Sequence, residues 1–322
     1  MNTIHTLGID IAKLKFDVAL IVNDKFKNKV FTNDPAGFTT LSDWLIKHQV
    51  ETLHACMEAT NSYSNALATY LFDKGVTVSV VNPAKIKFFA QAQLTRNKND
   101  ALDAQTIARF CQVMKPRVWT PSPEHIMQLQ AMVQRLNALL DMRTQEKNRL
   151  YTAENCITSS LEDSLAHLAS QITNMKKHIK QHINEHPDLK EKSDLLLSIP
   201  GVGEATTAAV LAAIPDIKSF PHQNHIVAFA GLNPKQKISG SSIHGKSSLS
   251  KVGHAALRKA LFLPAMVAIQ HNPVFQQLSE RLTHHHKSKM VILGAAMRKL
   301  LVIIYGVLKS NKPFDSALAM AK

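Results

Sequence analysis

Apolar residues recur at every second position near the start of the chain and at every third or fourth position later, and this change of period divides it into parts. Thr6–Asp10 reads as a short apolar strand. Lys15–Val22 reads as a second, alternating through Phe16, Val18 and Leu20, and Lys27–Thr32 returns as a third after a turn at Asn23-Asp24. Beyond Pro35, the residues Phe38, Leu41, Trp44 and Leu45 fall at helical spacing. Thr52–Met57 is predicted as a strand ending on Glu58. Ser62–Lys74 is predicted as a helix closed by Gly75, and Val76–Val81 as a strand stopped by Asn82-Pro83; two helices follow, from about Ala84 and about Asn99. A three-stranded meander, then helix, strand, helix, strand, helix, is the order of an RNase-H-like (RuvC-like) α/β fold, a mixed sheet with helices on both faces, placed over residues 1–123.

Residues 124–192 carry a different pattern. From Glu124 to about Glu154 breakers are few, and the Met and Leu residues along 126–142 read as core. Leu161, Leu165, Leu168, Ile172, Met175 and Ile179 then repeat at spacings of 4, 3, 4, 3 and 4, one apolar seam of the kind used by a helical hairpin or a coiled coil. A long helix outside a compact domain needs a partner to bury such a seam, which favours self-association over packing within one domain. Residues 193–322 are predicted as a mainly α C-terminal domain. Leu196 to Ala205, with Pro200-Gly201-Val202-Gly203, reads as helix, tight turn, helix: a helix-hairpin-helix whose Gly201 and Gly203 would let backbone approach a phosphate, or a plain αα-hairpin with a glycine turn. Ser239–Ser250 reads as a Ser/Gly/Lys loop, and apolar helical segments at about 255–270 and 290–308 complete the domain. The apolar stretch Met290–Leu308 is interrupted by Arg298 and Lys299, so no membrane span is expected.

Charge sharpens this division. The chain has 38 Lys and Arg against 24 Asp and Glu, net +14. Residues 217–322 hold 15 of the basic residues and only two acids, Glu280 and Asp315, so nearly all the excess lies in the last third. A field of one sign attracts a polyanion, and nucleic acid is favoured over a merely solvated basic surface. Cys56, Cys111 and Cys156 are scattered, with neither a disulfide framework nor zinc-ligand spacing. Met1–His5 shows no signal pattern, and a reduced cytoplasmic compartment is expected.

Four acids stand at chemically significant places. Asp10 ends the first strand and Glu58 the fourth, and residues just past strand ends line the ligand crevice of an open sheet. Asp100 and Asp103, at i and i+3, share one face of their helix. If that helix crosses the sheet, four carboxylates converge and call for a cation, with Mg²⁺ suited to oxygen ligands and to in-line displacement at phosphorus. Taken singly, each acid has a plainer explanation: a turn residue, a surface acid, an N-cap, a first-turn acid. Sugar kinases and actin-like ATPases also open with a strand ending in Asp, but here Ile11-Ala12-Lys13-Leu14-Lys15 follows with no glycine, and no other phosphate cradle appears.

Gly8-Ile9-Asp10, Met57-Glu58-Ala59-Thr60, Asn97-Lys98-Asn99-Asp100-Ala101-Leu102-Asp103-Ala104, Ile199-Pro200-Gly201-Val202-Gly203, and Phe229-Ala230-Gly231-Leu232 with Ser239-Gly240-Ser241-Ser242 together resemble the IS-one-ten family of insertion-sequence transposases, the DEDD recombinases that work with a bridge RNA. The match runs in order from about residue 6 to 315. The resemblance implies a RuvC-like domain, a coiled-coil insertion and a C-terminal transposase domain. It implies Asp10, Glu58, Asp100 and Asp103 as Mg²⁺ ligands and Ser239 as a nucleophile forming a covalent phosphoserine bond with DNA. It further implies a structured RNA pairing with donor and target DNA, and a dimer or tetramer whose sites take carboxylates and serine from different subunits.

The chemistry is coherent from the residues. Strand exchange must conserve the energy of the phosphodiester bond, and a seryl-phosphate does so without ATP. Lys246, Lys251 and Arg258 follow the serine and are candidates for contact with the neighbouring phosphates, or for plain solvation. Without the resemblance, Ser239 is one of several serines in a polar loop, and Ser241 is its nearest rival. His284-His285-His286 reads as a polar connector rather than a metal tract. Two other functions fit the same residues: a RuvC-like junction nuclease that uses water, and a nucleic-acid-binding protein with an inactive metal site.

Overall fold

The computed structural model describes residues 4–59, 63–93, 99–239 and 243–317. The chain divides into two compact units, Met1–Pro121 and Ser122–Lys322.

The first unit is built on a five-stranded mixed sheet in the order β3-β2-β1-β4-β5. β1 (His5–Ile11), β2 (Lys15–Val22) and β3 (Lys25–Thr32) form the antiparallel meander; β4 (Leu53–Glu58) and β5 (Thr77–Val81) extend it parallel to β1. Alternation along the strands sets the layers. On one face Leu7, Ile9, Phe16, Val18 and Leu20 are buried against α1 (Pro35–Lys47) and α2 (Tyr63–Asp73). Pro35 opens α1 behind Asp34, whose carboxylate accepts from the Gly37 amide at 2.8 Å and the Thr32 hydroxyl at 3.0 Å. Those two bonds hold Asp34 below the usual carboxylate range.

On the opposite face, small residues stand where β1 and β2 pair. α4 (Asp100–Met114) covers this face, with α3 (Pro83–Ala92) packed beside α4. Gly8 and Ala19 are cross-strand partners, and Ala104 and Ala108 of α4 close on them. A Cβ on Gly8 would lie 2.1 Å from the Ala104 carbonyl oxygen and 2.3 Å from the Ala108 nitrogen, so only glycine permits this approach. The close packing fixes where the helix begins relative to the strand ends.

The second unit opens with a hairpin of two long helices, α5 (Glu124–Tyr151) and α6 (Asn155–Glu185). It continues through α7 (Pro187–Leu197), α8 (Glu204–Ala213) and α9 (Gln223–Phe229). A two-stranded sheet, β6 (Pro234–Ser239) with β7 (Ile243–Leu249), follows. Four helices complete it: α10 (Ala255–Ala260), α11 (Phe262–His271), α12 (Pro273–His284) and α13 (Lys289–Ser310). One hydrophobic core joins Ile126, Leu129, Leu136 and Leu139 of α5 with Ile172 and Ile179 of α6 and reaches Leu300 and Ile304 of α13. α13 is long and apolar enough to cross a membrane by composition, and 56% of its most apolar window is buried inside the unit; α7, α9, α11 and α12 pack on it.

The structure adds to the sequence reading at three places and corrects it at the second. The seam of α6 runs along α5 as the helical hairpin, one of its two readings: Ile172 and Ile179 are buried and Leu168 and Met175 join the common core, while Leu161 and Leu165 stay half-buried. The segment read as a Ser/Gly/Lys loop is a β-hairpin over its described residues, because backbone pairing is indifferent to small polar side chains and Leu249 anchors the return strand against Gly294. The stretch before the histidine tract is helix α12, capped by Asn272, whose side chain accepts from the Val274 amide at 3.0 Å; His284 is its last residue.

Candidate active site

The strand register gathers the acidic positions at one end of the sheet. Asp10 pairs with Asp17 across β1 and β2, and partners directly opposite in an antiparallel pair share a face. The last aligned pair of β1 and β4 is Ile9 with Met57, so Asp10 and Glu58 are the next residues on neighbouring strands. Gly8, Ala19 and Cys56 mark this as the face that α4 covers. Asn99 caps α4, its side-chain oxygen accepting from the Leu102 amide at 2.8 Å. Asp100 and Asp103 therefore occupy the first turn, where the helix dipole favours negative charge.

Lys15 ties helix to sheet. Its Nζ donates to Asp100 Oδ2 at 2.8 Å and to Asp17 Oδ2 at 3.2 Å. The hydrogen bond to Asp100, then that to Asp17, raises the ammonium above its ordinary pKa. Asp17 is only 8% exposed and so needs such a partner. The four residues named from sequence offer carboxylate oxygens alone, a donor set that suits Mg²⁺. Among the described residues no three His, Cys, Asp or Glu side chains are gathered closely enough to hold a metal ion. Carboxylates repel one another until a cation arrives, and the one charge that Lys15 supplies serves Asp100 and Asp17. The residues fit such an ion by chemistry and by position on the strand ends and first helical turn.

The second candidate group lies in the other unit. Ser239 closes β6, its backbone in register with Ile243. Its side chain and that of Lys246, with residues Gly240, Ser241 and Ser242, lie outside the described residues. The base of the hairpin is held tightly. The Ser250 amide donates to the Asn233 carbonyl at 2.8 Å, the Lys251 amide to Gly231 at 3.0 Å, and the His254 amide to Phe229 at 2.6 Å. Gly231 (φ 68°) and Gly253 (φ 146°) meet backbone to backbone: a Cβ on Gly253 would lie 2.3 Å from the Phe229 oxygen and 2.7 Å from the Gly231 nitrogen. Phe229-Ala230-Gly231-Leu232 is thus the socket in which the hairpin stands. Arg258, a candidate phosphate contact, is half-buried, and its Nη1 donates to the Ala230 carbonyl at 2.9 Å. Lys251 is exposed beside it.

α7 and α8 form the expected helical hairpin, and its two glycines differ. Gly201 (φ 96°) faces α11, where a Cβ would lie 3.3 Å from the Ala268 nitrogen and the Pro264 oxygen. Gly203 precedes α8 with no side-chain cap and open space around it, so of the two it is the one whose surroundings leave room for a ligand.

Residues 7–153 match the family model of the DEDD transposases of the IS110 type, and residues 193–280 match the model described as the transposase IS116/IS110/IS902 family. The chain is 36% identical over 315 residues to the pilin gene-inverting protein of Moraxella bovis, covering 97% of this chain and 98% of that one. The chain belongs to the IS110 family of transposases. At greater distance, it is 23% identical to the transposase for insertion sequence element IS1328 of Yersinia enterocolitica, over 98% of this chain and all of that one. Among solved structures, T. thermophilus RuvC in complex with Holliday junction substrate aligns with 36% of this chain and all of its own at 13% identity and a TM-score of 0.28, a likeness too slight to build on.

IS110-family transposases are enzymes that cleave and rejoin DNA. In this IS110 transposase two residues near the carboxylates escaped the sequence reading: Lys15 and Asp17. A signal for Asp17 was available, since an acid sits between Phe16 and Val18 in a strand that is apolar from there to Val22. Lys15 carried none; its partner Asp100 is 85 residues away in sequence.

Proposed function

We propose that this IS110-family transposase moves an insertion sequence by cutting and rejoining DNA through a covalent bond to Ser239, in a RuvC-like (RNase-H-like) site where Asp10, Glu58, Asp100 and Asp103 hold Mg²⁺. The observation that carries this reading is the register that sets Asp10 and Glu58 side by side at the ends of β1 and β4, with the first turn of α4 over the same face. The order of these acids, Asp-Glu-Asp-Asp, is that of the family model's own name. Mg²⁺, when bound, would neutralise the carboxylates and the phosphate oxygens brought among them. Asp100 and Asp103 are aimed by the Asn99 cap and by the contact of α4 with Gly8. Ser239 stands at the head of a hairpin whose base is pinned to Phe229, Gly231 and Asn233.

The serine hydroxyl gives up its proton as its oxygen bonds to a DNA phosphorus; the bond from phosphorus to a deoxyribose oxygen breaks, and that oxygen leaves as a hydroxyl. Attack by the hydroxyl of another strand reverses the exchange and frees the serine. A structured bridge RNA, paired with donor and target DNA, would select the strands, and subunits in a dimer or tetramer would share carboxylates and serine. The enzyme would work where the DNA is, in the cytoplasm on the nucleoid.

A trapping assay tests this. The protein, its element's RNA and a nicked DNA substrate are incubated with Mg²⁺, and protein attached to DNA is sought. Attachment lost in Ser239→Ala and kept in Ser241→Ala is the expected result. Cleavage that survives Ser239→Ala would mean that water is the nucleophile, as in a junction nuclease. Tight binding with no cleavage in the native protein would mean a binding protein.

A further inference from the structure

The second unit contains a cavity of about 1520 Å³ between α12, α13 and the segment after α13. Arg281, Arg298, Lys299, Lys309 and Lys312 line it, against one acid, Asp315. None of these five cations has an ion-pair partner among the described residues, whereas Lys180, Lys190, Lys192 and Lys259 of the same unit each have one. Burial and the neighbouring Arg281 charge push the Lys299 ammonium below its ordinary pKa, so these cations crowd one another. Unpaired like charges around a cavity cost stability unless an anion completes them.

The rest of the lining describes the anion. Small-molecule pockets span about 300–1,000 Å³, so this space is large for a metabolite. Tyr305 and Phe314 contribute aromatic surface beside Leu278, Val302 and Ile303. Lys309 Nζ lies 5.8 Å from the centre of the Tyr305 ring, and the Tyr305 hydroxyl donates to the Phe220 carbonyl at 3.1 Å, which fixes the ring. Cations that follow a backbone beside aromatic faces on which bases stack are the means by which proteins hold unpaired strands.

We propose that this cavity binds a single-stranded nucleic-acid segment, its phosphates on Arg281, Arg298 and Lys299 and a base against Tyr305 or Phe314. The inference rests on the reading that the enzyme handles nucleic acid, and it needs neither Ser239 nor the carboxylates. The full chain is titrated with fluorescent oligothymidylate and oligouridylate at several salt concentrations. Arg281→Gln/Arg298→Gln/Lys299→Met is compared with Lys180→Gln/Lys190→Gln/Lys192→Gln, which removes the same charge from the same unit. The expected result is weaker binding in the first variant alone, with the slope of log affinity against log salt shallower by about 2 for three lost phosphate contacts on a single strand. Equal losses in both variants, or an unchanged slope in the first, would overturn the proposal. Photocrosslinking of thiouridine or thiothymidine strands to the native protein, mapped by mass spectrometry, gives an answer even where the triple variant misfolds: adducts at Tyr305 or Phe314 support the site, and adducts only elsewhere overturn it. The two oligonucleotides distinguish RNA from DNA as the occupant. Asp10→Asn is expected to abolish cleavage with oligonucleotide binding unchanged, so a failure of the cutting chemistry and a failure of the cavity remain separate results.

Discussion

Gly8→Ala tests how the sheet positions the carboxylates. The added Cβ would lie 2.1 Å from the Ala104 oxygen, where ordinary contact begins near 3.4 Å. α4 must therefore retreat by roughly 1.3 Å, or the strand must bend by as much, because the atoms met are backbone of Ala104 and Ala108 and not a flexible side chain. Overpacking of this kind costs about 1–3 kcal/mol, and each kcal/mol is roughly 4 °C in a unit of this size. The larger effect falls on function, because Asp100 and Asp103 move with the helix while Asp10 and Glu58 stay on the strands. A misplacement of about 1 Å costs on the order of 10²-fold in rate. Thermal melting, hydrogen exchange in β1 and α4, and single-turnover DNA cleavage read the two effects. Gly306→Ala is the matched control: nothing lies within 4 Å of a Cβ there, and alanine in a helix is favoured by up to ~1 kcal/mol, so that variant should melt higher. If Gly8→Ala melts and cleaves as the native enzyme does, the close approach of α4 does not govern the site.

Two further outcomes concern the polar contacts of His254 and Lys15. His254 caps α10, its Nδ1 accepting from the Leu257 amide at 3.1 Å, while burial and the Arg258 charge hold the imidazole below its ordinary 6.5. A depressed histidine pKa means that the unfolded chain takes up the proton first. Stability is then full above the usual histidine range and falls as the pH drops from about 7 to 5; His254→Asn, which keeps a capping oxygen, should lose less stability over that window in urea titrations. Lys15→Met should lower the melting temperature in chelator, because Asp17 and Asp100 lose their shared partner, and added Mg²⁺ should narrow the gap from the native protein; a gap unchanged by Mg²⁺ would separate Lys15 from the metal site.

Local pattern carried much of this architecture and then failed at identifiable points. In the first unit, strand limits were legible to within two residues because alternation and turns such as Asn23-Asp24 are local signals. Asp10 and Glu58 were legible as strand-end acids, and Asp100 with Asp103 as a first-turn pair, because one strand or one helix suffices to place each. The bond from Lys15 to Asp100 was not, since it depends on two elements meeting. Nor was the bond from Arg258 to the Ala230 carbonyl, which likewise joins two elements distant in sequence. The β6–β7 hairpin was hidden for another reason: serines and lysines carry little strand propensity, and its pairing is sustained by a socket built from distant glycines.

The long hairpin of α5 and α6 has a graded anchorage. At its root Ile126, Leu129, Ile179 and Ile183 belong to the core that the C-terminal helices share, whereas near its turn Tyr151 is 91% exposed and Ile157 49%. Opening should therefore begin at the turn and stop where the shared core starts. Evolution can lengthen or shorten such an arm by whole helical repeats at its far end at little cost to the rest, while its root is bound to the fate of the serine-bearing unit.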